Sequence, residues 1–290
     1  MSAPEAGASL FGRRERFRSV QSTNDVVRRW LADGDREVCV AVADEQTSGR
    51  GRDGRAWHGR ANDALLLSLG FRPGWLVPDR TWRLAAVVAL AMADAAERVA
   101  ALSKGSIRLK WPNDLVSIDG GPADPRRGTL RKVAGVLGET DGLGTADPRV
   151  VIGIGINAGW RPAEFPPELV ATMTSLHELS GGVAVEVGDL QEAFLAAVEP
   201  AILALRDGRF DSDAWASRQI TTGREIAIEA PDGSVTRTRT LGVDTETGCL
   251  VVADPFGRDG ERLIHSGEIR HVRLAAPDAT AREDLAGASV

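Results

Sequence analysis

The sequence has 290 residues, of which 43% are hydrophobic and 26% charged, and its formal net charge is −6. This composition is that of an ordinary globular protein, long enough for one large domain and a small one. The net negative charge argues against a protein that coats nucleic acid. No segment reaches the ~18 continuous apolar residues of a membrane span, and residues 1–18 lack the apolar stretch of a signal peptide. We therefore expect a cytoplasmic protein.

The first part of the chain alternates candidate strands and helices. Residues 1–16 are small and polar and predict a flexible arm, and residues 17–21 predict a short strand. The polar run at 22–25 favours a helix N-cap, and its side chains can also bind a polar ligand at the helix N-terminus. Apolar residues then repeat at helical spacing until Gly34. Further strands are expected at 37–45, 64–71, 107–110, 115–116, 132–140 and 149–157, and long helices at 80–101 and 189–206.

The pattern changes after about residue 222. Short β-branched and apolar runs separated by Gly- and Asp-containing turns fill the next fifty residues and predict a small all-β barrel. The sequence therefore predicts an α+β protein, with a mixed sheet flanked by helices over 17–222 and the barrel over 223–275. The polar end, 276–290, predicts a flexible tail.

Several common kinds of site have no signature here. Cys39 and Cys249 lie far apart and are expected to be reduced core residues. The four histidines show no metal-ligand spacing, and neither the nucleophile elbow G-x-S-x-G nor the phosphate loop G-x-x-x-x-G-K-[ST] occurs. The pair Gly153-x-Gly155 lacks the third glycine and the helix of a dinucleotide-binding turn.

The most informative stretch is the loop at 46–57, Q-T-S-G-R-G-R-D-G-R-A-W, which lies between two candidate strands. Its glycines let a ligand approach the main chain closely. Its arginines can form paired hydrogen bonds with carboxylates and phosphates. The loop therefore predicts an anion clamp.

Three further polar clusters lie at the ends of apolar strands, at 110–114, at 132–135 and at 153–157. Loops at strand ends can bring groups from distant parts of a chain to one ligand. Each cluster alone also has a structural interpretation. Lys132 can be a solvated lysine at the start of a strand, and Trp57, in the loop, can be a core aromatic.

Taken together, these motifs resemble those of biotin protein ligases. The matching motifs are S-T-N-D at 22–25, G-R-G-R-x-G-R-x-W at 49–57, K-W-P-N-D at 110–114, K-V-A-G-V-L-G-E at 132–139 and G-I-G-I-N at 153–157. The resemblance covers about residues 17–273 and implies the biotin/lipoate ligase-like catalytic fold with a small SH3-like C-terminal barrel. It also implies two reactions: biotin and ATP form biotinyl-5′-AMP and pyrophosphate, and a lysine of a biotin carboxyl carrier domain then takes the biotinyl group and releases AMP.

The resemblance assigns a role to individual residues. The catalytic residues it implies are Lys132, Arg52 and Lys110. The residues it implies for biotin are Ser22, Thr23, Asn24, Gln46, Arg50, Gly51, Arg52, Lys132 and Gly135. Those implied for ATP and the adenylate are Arg50, Arg52, Trp57, Lys110, Asn113 and Asn157. Asn113 is also expected to help position Mg²⁺ through the ATP phosphates, and the glycines at 135, 153 and 155 to let the ring system of biotin lie against strands.

Two departures from other family members affect what we expect. Many biotin ligases have an N-terminal helix-turn-helix domain, whereas only about 16 residues precede the first predicted strand, so no DNA partner is expected. Residues 117–131 form a long insertion before Lys132. The expected partners are biotin and the carrier domain of biotin-dependent carboxylases, with a homodimer possible and no membrane partner. The alternatives are a lipoate or octanoate ligase on the same fold, whose R-R-x-S-G-G-G loop is absent, and a non-catalytic regulator that senses biotin.

Overall fold

The computed structural model describes residues 9–35, 38–118, 129–266 and 271–274. The chain divides between Arg218 and Gln219 into two compact units. The end of the first predicted domain, residue 222, lies four residues further on. The predicted tail and the first eight residues of the predicted arm fall outside the described residues.

The first unit is built on a mixed sheet. Its described strands are β1 (Phe11–Val20), β2 (Val38–Gln46), β3 (Ala64–Phe71), β4 (Arg108–Lys110), β5 (Asp114–Ile118), β6 (Leu130–Asp141) and β7 (Arg149–Asn157). They lie side by side in the order β1-β2-β3-β7-β6-β5-β4. β1 and β2 are parallel, and the other neighbouring strands are antiparallel.

Helices flank this sheet, as predicted. They are α1 (Thr23–Asp33), α2 (Trp82–Val99), α3 (Leu176–Leu179), α4 (Val187–Arg206) and α5 (Ser212–Ser217). α1 supplies the crossover that the parallel pair β1 and β2 requires, and it packs against β2, β3 and β7. α2 and α4 pack against each other and also contact the sheet. None of the helices in the described residues has the length and apolarity to span a membrane.

The local sequence explains where α1 ends and how it is packed. Gly34 has a φ of 109°, in the left-handed region, and its N–H donates to the Leu31 carbonyl oxygen. The apolar face of α1, which includes Val27 and Trp30, packs on Cys39 of β2. Every residue of β3 is buried, so its alternating side chains are covered on both faces of the sheet. The centre of the sheet is therefore a rigid support for the loops at its ends.

The predicted N-terminal arm is wrong over residues 11–16, which form the first half of β1. β1 lies at the edge of the sheet, and its polar side chains make ion pairs instead of packing in the core. Arg13 lies 3.0 Å from Asp35, and Arg16 lies 2.7 Å from Asp44. Because an edge strand needs little apolar sequence, composition alone did not reveal it.

The second unit is an antiparallel sheet, in agreement with the expected small SH3-like β-barrel. Its described strands are β8 (Glu225–Glu229), β9 (Val235–Val243), β10 (Leu250–Ala253), β11 (Glu261–Ile264) and β12 (His271–Leu274). They lie in the order β11-β10-β9-β8-β12. Ile226 and Ile228 of β8, and Leu250 and Val252 of β10, point alternately into a small apolar core.

Both cysteines are buried thiols that form no disulfide, as predicted. Burial, with a smaller contribution from Asp35, raises the pKa of the Cys39 thiol to about 11. At pH 8 only about one Cys39 in a thousand carries the reactive thiolate. We therefore expect Cys39 not to react with a thiol reagent at pH 8 until denaturant is added, so at most one of the two thiols should react in the native protein. Colorimetric thiol titration measures this, and rapid labelling of both thiols in the native protein would contradict the packing described here.

Candidate active site

The loop rich in glycine and arginine folds back on itself between β2 and β3. Arg50 and Ala56 form an antiparallel bridge, and the Trp57 N–H donates to the Gly49 carbonyl oxygen at 2.9 Å. The Gly51 N–H also donates across the turn. A Cβ at Gly49 would lie only 2.7 Å from the Trp57 carbonyl oxygen, so the hairpin requires a glycine there. We call residues 49–57 the arginine hairpin.

Two lysines share one carboxylate near the arginine hairpin. Lys132 Nζ lies 2.6 Å from Asp114 Oδ1, and Lys110 Nζ lies 3.3 Å from Asp114 Oδ2. The three side chains are between 11% and 27% exposed, so water screens their charges only in part. Two cations and one anion leave a net positive charge, which suits an anionic ligand.

A β-bulge directs Lys132 toward this cluster. Between β5 and β6 the paired residues are Leu115 with Ala134 and then Val116 with Lys132, so Val133 is an extra residue without a partner. In a regular strand, residues three apart face opposite sides of the sheet. Because of the bulge, Lys132 instead lies on the same face as Gly135, where an added Cβ would be 2.9 Å from Lys132 Nζ.

Burial and neighbouring charges shift the ionisation of the cluster. Burial lowers the pKa of Lys110, although Asp114 acts in the opposite direction. For Asp114, burial opposes the charged form, but Lys132 and Lys110 outweigh it and hold the pKa of the carboxyl below its usual value. Burial also lowers the pKa of Arg52, and Asp114 lies near enough to offset part of that effect. Arg52 therefore feels the charge of the same carboxylate that pairs with the two lysines.

The polar residues at the start of α1 form hydrogen bonds with β2 and β3. The Thr23 N–H and hydroxyl donate to Gln46 Oε1 at 2.7 and 3.0 Å. Ser68 Oγ lies 2.7 Å from Thr23 Oγ1 and 2.6 Å from Asn24 Oδ1. Ser22 occupies the N-cap position, but its side chain makes no capping hydrogen bond. The predicted N-cap is thus correct in position, but the side chain that accepts a hydrogen bond from the helix N-terminus is that of Gln46 and not that of Ser22.

The glycines of the central strands make room for the protein's own side chains. A Cβ at Gly153 would lie 2.2 Å from Asn24 Oδ1, and one at Gly155 would lie 2.4 Å from the Trp57 indole. Trp57 also lies near Gly135, and Lys132 Nζ is 5.3 Å from the centre of its ring. In this structure Asn24, Trp57 and Lys132 lie against these glycines, and the role of the glycines in letting the ring system of biotin lie against the strands stays a prediction.

The two asparagines expected to contact the nucleotide lie in different environments. Asn113 Nδ2 donates to the Val136 carbonyl oxygen at 3.0 Å, which holds the turn between β4 and β5 against β6. Asn157 is 1% exposed, and its Nδ2 donates to the Thr174 carbonyl oxygen. Asn157 Oδ1 has no hydrogen-bond partner within the described residues. A buried acceptor of this kind favours a ligand that donates a hydrogen bond.

Gly153→Ala tests the contact between Asn24 and β7. Asn24 is buried and also donates to Glu139 at 2.6 Å, so it cannot move away freely. We expect biotin to bind at least tenfold more weakly, which corresponds to the ~1–3 kcal/mol cost of overpacking. Isothermal titration with biotin measures the change. Gly138→Ala is the matched control, because its Cβ would meet only Ile152 Cδ1 at 3.4 Å; equal affinity of the two variants would contradict the argument.

Lysine is scarce in this chain. It occurs at only three positions, 104, 110 and 132, whereas lysine and arginine together number 35. Lys110 and Lys132 are held by Asp114 in the candidate active site, and Lys104 is exposed in the loop after α2. One lysine ε-amine is therefore freely accessible on the surface.

Comparison with known proteins agrees with this geometry. Residues 16–157 match the Biotin/lipoate A/B protein ligase family. The Biotin--[acetyl-CoA-carboxylase] ligase of Mycobacterium tuberculosis is 32% identical over 257 residues, which cover 87% of this chain and 86% of that protein. The chain belongs to the biotin protein ligase family. The ligase of the same name from Paracoccus denitrificans is also 32% identical, over 82% of this chain and 92% of that protein.

The biotin protein ligase family also contains solved structures with the same fold. The biotin protein ligase of Aquifex aeolicus, solved in complex with biotin and ATP, superimposes with a TM-score of 0.71. It is 24% identical and covers 91% of this chain and all of that structure. At this identity the likeness establishes the fold alone.

In this biotin protein ligase, some residues of the site lie inside the sequence motifs although their roles were not predicted. The quoted motifs contain three acidic residues whose contacts are visible only in the structure. Asp114 pairs with Lys132, Asp25 with Arg50, and Glu139 accepts from Asn24. Ser68 lies outside every motif. Its signal was a single hydroxyl in the otherwise apolar and glycine run of β3, because a buried polar residue requires a hydrogen-bond partner.

Proposed function

We propose that the protein uses ATP to attach biotin to a lysine of biotin carboxyl carrier domains, through biotinyl-5′-AMP. The observation that carries this proposal is the pair of lysines on Asp114 beside the arginine hairpin. The names of the related ligases and the ligands of the Aquifex aeolicus structure support the choice of biotin and ATP.

The first step joins two anions, and the lysine cluster suits it. A carboxylate oxygen of biotin attacks the α-phosphorus of ATP, the bond to the β-phosphate oxygen breaks, and pyrophosphate leaves. Lys132 offsets the repulsion between the carboxylate and the phosphate and stabilises the charge that develops at the α-phosphate. Lys110 approaches the phosphates from the same side. Asp114 keeps both ammonium groups in place before the substrates arrive.

The polar residues at the start of α1 bind biotin in this proposal. The neutral ureido group needs donors and acceptors in a largely apolar pocket. Ser22, Thr23 and Asn24 are buried, and Thr23 and Asn24 are fixed by hydrogen bonds to Gln46 and Glu139. A network that is already ordered loses little entropy when the ligand binds.

The nucleotide lies between Trp57 and Asn157 in this proposal. The indole supplies an aromatic face for adenine. Asn157 Oδ1, which has no partner within the described residues, can accept a hydrogen bond from the nucleotide. Arg50 and Arg52 in the arginine hairpin cover the mixed anhydride and shield it from water.

A magnesium ion in this site would be held by the ATP phosphates and would supply charge neutralisation there. No group of three His, Cys, Asp or Glu residues within the described parts of the chain could hold a metal ion. Asp114 already accepts from two ammonium groups, and the Asn113 amide is bonded to Val136. Both side chains therefore already have partners, which fits a cation that is carried by ATP and neutralises the phosphate charge. Asn113 would help to position the nucleotide by holding the turn between β4 and β5.

The second step needs no nucleophile from this chain. The amine of the carrier lysine attacks the acyl carbon of the adenylate, the bond to the phosphate oxygen breaks, and AMP leaves as the amine loses a proton. We place this reaction in the cytoplasm. A homodimer remains a prediction.

The decisive experiment is incubation with ATP, biotin and a purified carrier domain, followed by intact mass measurement of the carrier. We expect the mass of one biotinyl group on the carrier, and none when its target lysine is replaced by arginine. If no biotin is transferred, but lipoate or octanoate is transferred when it is supplied in place of biotin, the result would favour the alternative ligase. Biotin binding without any transfer would favour the regulator.

A further inference from the structure

Arg50 of the arginine hairpin is held by a carboxylate on α1. Its Nη1 donates to Asp25 Oδ2 at 2.8 Å, and its Nη2 donates to Asp25 Oδ1 at 2.6 Å. Two parallel hydrogen bonds between a guanidinium and a carboxylate make the strongest and most directional arrangement for such a pair. Both side chains are about one third exposed, 34% for Arg50 and 33% for Asp25.

The contact extends to the residues proposed to bind biotin. Arg28 pairs with Asp25 at 2.9 Å and with Glu139 at 2.8 Å. Glu139 also accepts from Asn24 Nδ2 at 2.6 Å and lies 3.6 Å from Arg50. Two arginines and two carboxylates thus form a balanced cluster that joins the arginine hairpin, α1 and β6.

Asp25 is the member of this cluster placed to control the hairpin. It lies in the first turn of α1, next to Asn24, and its carboxylate takes both donors of the Arg50 fork. Arg50 is also bridged to Ala56, so fixing Arg50 fixes both arms of the hairpin. Loss of the Asp25 charge would free this anchor without changing the lysine cluster at Asp114.

We infer that Asp25 is a positioning residue that ties the arginine hairpin to α1 through Arg50 and so slows escape of the acyl-adenylate. The inference rests on the proposed function. Asp25 does not touch the reacting atoms. It acts through Arg50, whose guanidinium it holds against α1.

Asp25→Asn tests this role, because asparagine keeps the shape and removes the charge. We expect the preformed adenylate to leave the variant about three- to tenfold faster than the parent, the size of effect that fits a partly exposed paired ion contact. Release is followed by a chase with unlabelled adenylate. Peptide mass spectrometry should show more biotin on Lys104 in the absence of carrier. Asp25→Glu, which keeps a carboxylate, should restore slow release.

Asp44→Asn is the matched control. It removes a carboxylate that pairs with Arg16 at 2.7 Å and is 28% exposed, but this pair lies between β1 and β2. We expect this variant to release adenylate at the parent rate. High salt should speed release from the parent by a larger factor than release from Asp25→Asn, because only the parent has the Asp25–Arg50 pair for the ions to screen.

A double-mutant cycle separates the inference from a general loss of structure. If Asp25 acts through Arg50, Asp25→Asn should have no further effect on release in an Arg50→Gln background. Additive effects, or release from Asp25→Asn at the parent rate, would overturn the inference while the proposed function stands. If the parent forms no adenylate from biotin and ATP, both the function and the inference are wrong.

Discussion

Lys132→Ala is expected to abolish formation of biotinyl-5′-AMP. The substitution removes the cation proposed to sit between the biotin carboxylate and the α-phosphate, where negative charge accumulates in the transition state. Loss of such a preorganised contact costs roughly 10²–10³-fold in rate. Release of pyrophosphate in the presence of biotin and ATP measures the first step directly, without a carrier domain.

Two comparisons make the Lys132 result interpretable. Lys104→Ala removes an exposed lysine outside the site and should leave pyrophosphate release unchanged. Lys132→Met keeps most of the side-chain length and removes the charge, so it should be as inactive as the alanine variant. Because Lys132 pairs with the mostly buried Asp114, the melting temperatures of both variants have to be measured beside the rates, and pyrophosphate release has to be assayed below them. Retained pyrophosphate release in both Lys132 variants would refute the proposed role.

Arg52→Gly is expected to let the adenylate escape into solution. Arg52 lies in the arginine hairpin, and the charge of Asp114 offsets part of the effect by which burial lowers the pKa of Arg52. A hydrogen bond to a charged group contributes about 1.5–3 kcal/mol, so its loss should speed adenylate release by roughly tenfold or more. Labelling of a lysine-rich bystander protein in the absence of carrier should rise to the same extent.

Glycine also makes the hairpin more flexible, so the charge has to be tested separately. Arg52→Ala removes the guanidinium with a smaller increase in backbone freedom. If alanine and glycine release the adenylate equally fast, the lost cation is the cause. If both retain it as tightly as the parent, Arg52 does not take part in closing the site.

The central strands could be predicted from the sequence because their own residues specify them. The bounds of β3 and β7 match the prediction, since continuous apolar runs are typical of strands covered on both faces. The first half of β1 could not be predicted, because its stability comes from β2 and from ion pairs such as Arg16 with Asp44. α3 and α5 have only four and six residues, too few for a clear helical period.

The residues of the site could be predicted from their motifs, but the contacts between their side chains could not. Lys110 and Lys132 were singled out by their motifs, but nothing in the sequence placed both on Asp114. The positions filled by Trp57 and Asn24 depend on contacts with strands about a hundred residues away. Such distant contacts follow from the pairing of strands, which a single sequence does not specify at the level of one residue.

The bulge at Val133 makes the chemistry depend on the register of β6 as well as on the identity of its residues. If β6 paired regularly with β5, so that Val133 had a partner, Lys132 would face the opposite side of the sheet from Gly135 and Asp114. Every residue of the lysine motif would still be present, and a comparison of composition would find no change. In this protein a complete motif paired without the bulge would describe an inactive enzyme.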